Sequence, residues 1–240
     1  MFLLIDKPKG ITSHDVVDRI RDITGERKVG HAGTLDPNAT GLLIIGIGRN
    51  STRKLELILK DRKTYTAEII LGEERDSDDV EGKIKSSKFK KSNQFDFANC
   101  QNYKSKFKIN ENKIQEILEL FLGKQMQKPP LFSAVKINGK KAYDLARQGK
   151  VVELKPRRIT IYSIKLVAYR YPILEIEADV SGGTYIRALA RDIGSKIGCG
   201  AYLKELRRTK IGKLKIADSV PLTRLNKHNW NTYALEYKNL

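Results

Sequence analysis

Asp36 is the one acid in "GHAGTLDPNATG", residues 30–41. Three glycines and a proline rule out a regular helix there, because glycine costs backbone entropy and proline removes a donor. The stretch reads as a loop, and "LLIIGI" (42–47) directly after it is an apolar run of strand length, expected to be buried on both faces. A carboxylate on a loop entering a core strand either caps a turn through an Asx-type hydrogen bond or is held there to react. Two more residues stand where chemistry is often served. Tyr65 opens "KTYTAEIIL" (63–71), a β-forming run with Tyr65, Ala67, Ile69 and Leu71 on one face. Arg187 follows Tyr185 and Ile186 at the start of a helix introduced by a tight "SGGT" turn. A strand tyrosine is commonly core and a helix-start arginine commonly solvated, so each gains meaning only from the others.

The flanking segments say how these residues are carried. "FLLI" (2–5) reads as a strand, and Lys7-Pro8-Lys9-Gly10 leads from it to a helix. There Thr12 and Asp15 have capping-box spacing, Val16, Val17, Ile20 and Ile23 share a face, and Gly25 follows the end. "GEERDSDDVEG" (72–82) is acidic and turn-prone, the composition of a solvated loop. Residues 83–113 hold nine lysines against two acids and read as an insertion outside the core. "IQEILELFL" (114–122) is helical. "KPPLFSAVKINGKKAYDLARQGK" (128–150) contains a double proline, an Asn138-Gly139 hairpin turn and a short helix stopped by Gly149. Strands are expected over about 158–168 and 173–180. Helices follow with Ile186, Leu189, Ala190, Ile193 and Ile197 on one face and over "AYLKELRR" (201–208). Strands mixed with helices, hairpins and crossovers imply an α/β or α+β fold around a mixed sheet, with no repeat and no linker.

Composition narrows the function. Lys and Arg total 46 against 28 Asp and Glu, a formal charge of +18, and a polyanion is the partner that tolerates such self-repulsion. Nucleic acid fits. No run approaches the ~18 apolar residues of a membrane span, and "MFLLIDKPKG" is too short an apolar start for a signal peptide, so a cytoplasmic chain without membrane contact is expected. Cys100 and Cys199 stand alone and the histidines are only 14, 31 and 228, which argues against a disulfide framework or a metal site. "GIG" at 46–48 lacks the context of a dinucleotide fingerprint, and there is no Walker A lysine and no GxSxG, so no cofactor is expected.

Six ordered segments carry a resemblance: "LIDKPKGITSHDVV", "GHAGTLDPNATGLL", "KTYTAEIILG" with "DSDDVEG", "PPLFSAVKINGKKAYDLARQG", "GGTYIRALARDIG" and "GAYLKELRRTKIG". Over about residues 3–215 the chain resembles the tRNA pseudouridine-55 synthases of the TruB type. The resemblance implies the pseudouridine synthase fold, a mixed, mainly antiparallel central sheet flanked by helices and loops. It also implies a reaction in which a uridine of the tRNA T stem-loop is detached from its ribose at nitrogen, turned and rejoined at carbon, with no cofactor.

It further implies roles. The residue matching Asp36 is the essential carboxylate, and the one matching Arg187 is its permanent cation, able to hold both carboxylate oxygens as lysine is not. Tyr65 matches the tyrosine that stacks on the flipped uracil. His31 matches a residue wedged into the RNA loop and Asp79 one near the extruded nucleotides, while Tyr185 and Leu206 are expected to line the uracil pocket. Residues 124–152 resemble a thumb that closes on the loop, with Lys136, Lys140, Lys141 and Arg147 as charges. The chain is then expected to be a single catalytic domain over 1–240, a monomer with no obligate protein partner. Two departures from the family stand out. The roughly 25 residues after 215 are too few for the usual RNA-binding C-terminal domain, and the 83–113 insertion is long: either it adds phosphate attraction or it has no role. A second class stays open, an RNA-binding or tRNA-folding factor with catalysis secondary or lost, as does a synthase acting on other T-loop-like RNAs.

Overall fold

Two apolar runs near the N-terminus organise the first part of the chain, and a long helix followed by a strand organises the second. The computed structural model describes residues 1–85, 110–133, 135–137, 139–148 and 154–237. In chain order its first elements are β1 (Phe2–Lys7), α1 (Ser13–Thr24), β2 (Val29–Ala32), β3 (Thr40–Ile47), α2 (Arg49–Leu59) and β4 (Lys63–Leu71). Then come α3 (Glu111–Glu119), β5 (Gly123–Gln127), β6 (Lys136–Ile137), β7 (Lys140–Lys141), α4 (Ala142–Arg147), β8 (Arg157–Arg170) and β9 (Ile173–Val180). The last are α5 (Ile186–Ile197), β10 (Ala201–Ile211), β11 (Leu214–Lys215) and β12 (Val220–Pro221), with short 3₁₀ turns before and after β12. The chain divides into two units: one of Met1–Thr66, Asp179–Gly183 and Glu205–Leu240, the other of Ala67–Ala178 and Thr184–Lys204.

In the first unit β1 pairs antiparallel with β3, Ile5 opposite Leu43, and β3 also pairs antiparallel with β2 and parallel with β10. The alternation of β1 and β3 explains their unbroken apolar sequence. Leu3, Ile5, Leu43 and Ile45 face one cluster with Val16, Val17 and Ile20 of α1. Phe2, Leu4, Leu42 and Ile44 face another with Leu55 and Ile58 of α2. Both faces are covered, so both carry core residues, each worth roughly 1.5–3 kcal/mol when fully buried. The capping box of α1 forms as expected: Thr12 Oγ1 accepts from Asp15 N at 3.0 Å and Asp15 Oδ2 from Thr12 N at 2.7 Å. Gly25 closes the helix at φ 70°.

In the second unit the strands run in the order β4-β9-β8-β5, with β5 antiparallel to β8. β6 pairs antiparallel with β7, Ile137 opposite Lys140. α5 buries Ile186, Leu189, Ala190 and Ile193 and ends at Gly198, φ 92°. The architecture is α+β with mixed, mainly antiparallel pairing.

One expected element is corrected. "AYLKELRR" is not a helix but the first part of β10, pairing Arg207 and Arg208 with Thr40 and Gly41 of β3 and Ile211 with Leu214 of β11. Ala, Leu, Lys, Glu and Arg prefer helix only weakly, and the ladder outweighs that preference. The acidic segment 72–82 is also less solvated than its composition implies, for Ser77 and Asp78 are buried. Most of the lysine-rich insertion, residues 86–109, lies outside the described residues, as do Cys100, Asn138, Gly149 and the side chains of Lys136, Lys140, Lys141 and Arg147.

Candidate active site

The loop that carries Asp36 is tied down on both sides of it. Ser13, in the first turn of α1 and 1% exposed, accepts from Leu35 N (2.9 Å) and donates to Leu35 O (3.1 Å) through one hydroxyl. On the other side Pro37 O accepts from Gly10 N at 2.9 Å and from Lys7 Nζ at 3.2 Å. Ala39 N donates to Asp36 O at 3.0 Å, closing the turn. Asp36 itself is half-buried. Its neighbours in sequence have no freedom to drift, and its carboxylate is therefore presented from a fixed backbone.

Lys7 is the centre of this anchoring. It is fully buried at the end of β1, and its ammonium donates to three carbonyls, Pro8 O (2.9 Å), Ile11 O (2.7 Å) and Pro37 O. Burial lowers its pKa to about 8, the Asp36 and Asp15 carboxylates pulling it back up and Arg208 pushing it further down. Arg208, 1% exposed on β10, donates from Nε to Leu42 O (2.7 Å) and from NH2 to Gly33 O (2.9 Å), gripping the loop near both ends. Gly41 is required beside it: φ is 104°, and a Cβ would collide with the Arg208 backbone. Lys63, at the start of β4, donates to Leu59 O and Asp61 O and is likewise lowered by burial to about 8.

The other expected residues of this unit sit on the same frame. His31 on β2 lies opposite Ile45 of β3. Burial first and Arg208 second lower its pKa, so the imidazole is neutral near pH 7. It lines a basic recess of about 470 Å³ with Arg21, Arg27, Lys28, Thr52 and Glu56 among others. Tyr65 is 7% exposed, next to Thr64, whose carbonyl accepts from Thr209 Oγ1 at 3.2 Å. Leu206 lies half-buried on β10, its carbonyl 3.4 Å from Thr40 Oγ1 at the start of β3.

The second unit holds Asp79, Tyr185 and Arg187, and it joins two of them directly. Arg187 is 7% exposed; its NH1 donates to Asp79 Oδ2 (3.1 Å) and Ser77 O (3.2 Å), its NH2 to Phe132 O (3.0 Å). Asp79 is fixed in turn by Ser77 Oγ at 2.6 Å and Glu81 N at 3.0 Å, both on Oδ1. Tyr185 precedes α5 and caps it with no side-chain bond of its own. Gln127 of β5, 2% exposed, holds the Tyr185 backbone: Oε1 accepts from Tyr185 N (2.9 Å) and Nε2 donates to Tyr185 O (3.0 Å). The Arg157 guanidinium stacks on the Tyr185 ring at 4.3 Å.

Lys7, Ser13, Lys63 and Arg208 in one unit, and Ser77 and Gln127 in the other, carry this geometry without having stood out in the sequence. "KPKG" and "ITS" were the legible sign for the first group; nothing but tertiary contact marks Gln127.

Solved structures place this architecture in a class. Over 98% of its length the chain matches 56% of a chain in the crystal structure of a Cbf5-Nop10-Gar1 complex, with TM-score 0.69 and 28% identity. It matches a chain of an H/ACA RNP bound to a substrate RNA containing 2'-deoxyuridine with TM-score 0.66 and 25% identity. The fold is that of the pseudouridine synthases. The TruB family pseudouridylate synthase N-terminal domain matches residues 21–186, and the tRNA pseudouridylate synthase B C-terminal domain matches 187–238. The tRNA pseudouridine synthase B of Aquifex aeolicus is 44% identical over 97% of this chain, and that of Prochlorococcus marinus (strain NATL1A) 46% over 87%. The chain belongs to the TruB family of pseudouridylate synthases. It spans 76% and 62% of the length of those two relatives.

Proposed function

We propose that the chain isomerises the T-loop uridine at tRNA position 55 to pseudouridine, working as a monomer in the cytoplasm with RNA as its only required partner. The observation that carries this reading is the Asp36 loop: a family-matching carboxylate on a backbone pinned at Leu35, Pro37 and Leu42 by buried side chains. Breaking the glycosidic bond of a uridine needs such a carboxylate, whether it attacks the sugar or base or assists removal of a sugar proton. It must stay ionised. Buried cations favour that state, and Lys7 supplies one within the same unit.

Arg187 is the second cation of the reading. Its guanidinium keeps its charge at every working pH, and Asp79, Ser77 O and Phe132 O fix its orientation. The target base leaves the stack, Tyr65 offers a ring to receive it, and a neutral His31 fills the gap left behind. The basic recess beside His31 and the charge of +18 supply phosphate attraction.

The test is tritium release from C5-labelled uridine in an unmodified tRNA transcript, comparing wild type with Asp36→Asn at matched RNA binding. Release by the wild type and none by the variant is expected. No release from either, with tight binding kept, replaces the reading with an RNA-folding protein.

A further inference from the structure

Asp78 is the only non-glycine residue with a left-handed backbone among the described residues, at φ 63°. That conformation costs roughly 1–2 kcal/mol for an ordinary L-residue. In extended chain, consecutive side chains point to opposite sides. The left-handed turn instead lets two consecutive carboxylates reach one helix: Asp79 Oδ2 meets Arg187 at 3.1 Å and Asp78 Oδ2 meets Arg191 at 2.8 Å. Arg187 and Arg191 are four residues apart on α5 and therefore share a face.

Each arginine then reaches a second segment. Arg187 NH2 donates to Phe132 O at 3.0 Å and Arg191 NH2 to Lys128 O at 2.9 Å. The result is a ladder of two rungs, with the 77–79 turn on one side and residues 128–132 on the other. Arg191 is further engaged by Asp192, through Nε to Oδ1 at 2.9 Å, so its position is over-determined. Leu203 N donates to Asp78 O at 3.0 Å and holds the turn from below.

A glycine or asparagine would supply the same φ without a buried charge. Asp78 is only 3% exposed, and such a carboxylate is costly unless a cation is paired with it. Its presence makes sense where the cation itself has to be held. We propose that Asp78 and Arg191 are a positioning pair for the synthase reaction: they touch neither base nor ribose, and they set the Asp79 turn and the 128–132 backbone that together aim Arg187. The inference rests on the function proposed above.

The experiment is steady-state kinetics on a T stem-loop RNA with Asp78→Gly, Arg191→Gln, the double variant and Arg191→Lys. Asp78→Gly keeps the left-handed backbone and removes the pair. Each of the first two is expected to lower kcat at least about tenfold with KM within about twofold, since misplacing a group by 1 Å costs up to ~100-fold. The double variant is expected to match the worse single one, and Arg191→Lys to recover part of the loss. Wild-type kcat in Asp78→Gly, losses that multiply in the double variant, or a rise confined to KM overturns the proposal. If the single variants unfold, Asp78→Asn and Arg191→Lys carry the same comparison. Tritium release by the wild type tests the proposed function separately. A wild type that binds the RNA without release overturns the proposed function and this inference with it.

Discussion

The Asp36 loop and the Arg187 ladder solve the same problem, holding one charged side chain still, with opposite means. Around Asp36 the charged holders are buried cations whose hydrogen bonds go to backbone carbonyls, Lys7 to Pro8, Ile11 and Pro37 and Arg208 to Leu42 and Gly33, with the Ser13 hydroxyl on Leu35 beside them. Around Arg187 the holders are carboxylates, Asp78 and Asp79, in ion pairs with Arg191 and Arg187. Carbonyls orient a cation without neutralising it, so the first region keeps a positive field, the field that favours an ionised carboxylate and an incoming polyanion. Ion pairs fix the orientation of the guanidinium, which stays charged while it is held. The first arrangement tunes, the second aims.

That contrast gives predictions that break it or sharpen it. The largest effect is expected from Asp36→Asn, which should lower tritium release at least about a thousandfold, a barrier change of about 4 kcal/mol. Asp79→Asn should lower release and the melting temperature, because it removes the carboxylate that the buried Arg187 NH1 meets at 3.1 Å; an unchanged melting temperature would break the comparison. Next comes Gly41→Ala, expected to cost more than about 2 kcal/mol in urea unfolding, since alanine disfavours φ 104° and its Cβ meets the Arg208 backbone. Gln127→Met should cost about 1–3 kcal/mol by taking away the partner of Tyr185 N and leaving Tyr185 O to Leu189 N, and slower turnover with unchanged RNA affinity would mark the clamp as positioning.

The smallest effect is in pH. NMR titration of labelled lysines should find Lys7 and Lys63 with midpoints near 8. A depressed lysine pKa means that, between about 8 and the unfolded value of about 10.4, the unfolded chain holds a proton the folded chain has released. Their contribution to stability therefore rises with pH through that window and falls as pH drops through 8. Lys7→Met should flatten part of that rise, and an unchanged pH dependence would remove Lys7 from the account.

Much of this was legible in the residues, and what was not had identifiable causes. The α1 capping box, the β3 core strand and the antiparallel β6–β7 pair rest on neighbours in sequence, and they form as expected. α2 is marked in the sequence only by a narrow stripe of Ser51, Leu55 and Ile58 in a polar segment, and it is fixed by the β3 face it covers. β10 looked helical because its residue preferences are weak and its partners lie about 165 positions away, Arg207 beside Thr40.

The sequence by itself determined the family and the Asp36 loop on which the proposed chemistry rests, since glycines, a proline and one acid in fixed order constrain a backbone locally. It also determined the basic character that selects a polyanion. Only the tertiary structure decided which groups hold those residues: Ser13 on Leu35, Arg208 on Gly33 and Leu42, Gln127 on Tyr185, Asp78 on Arg191. The reason is physical. A buried polar group must find a partner wherever the fold brings one, and that partner's place in the sequence carries no periodicity to read.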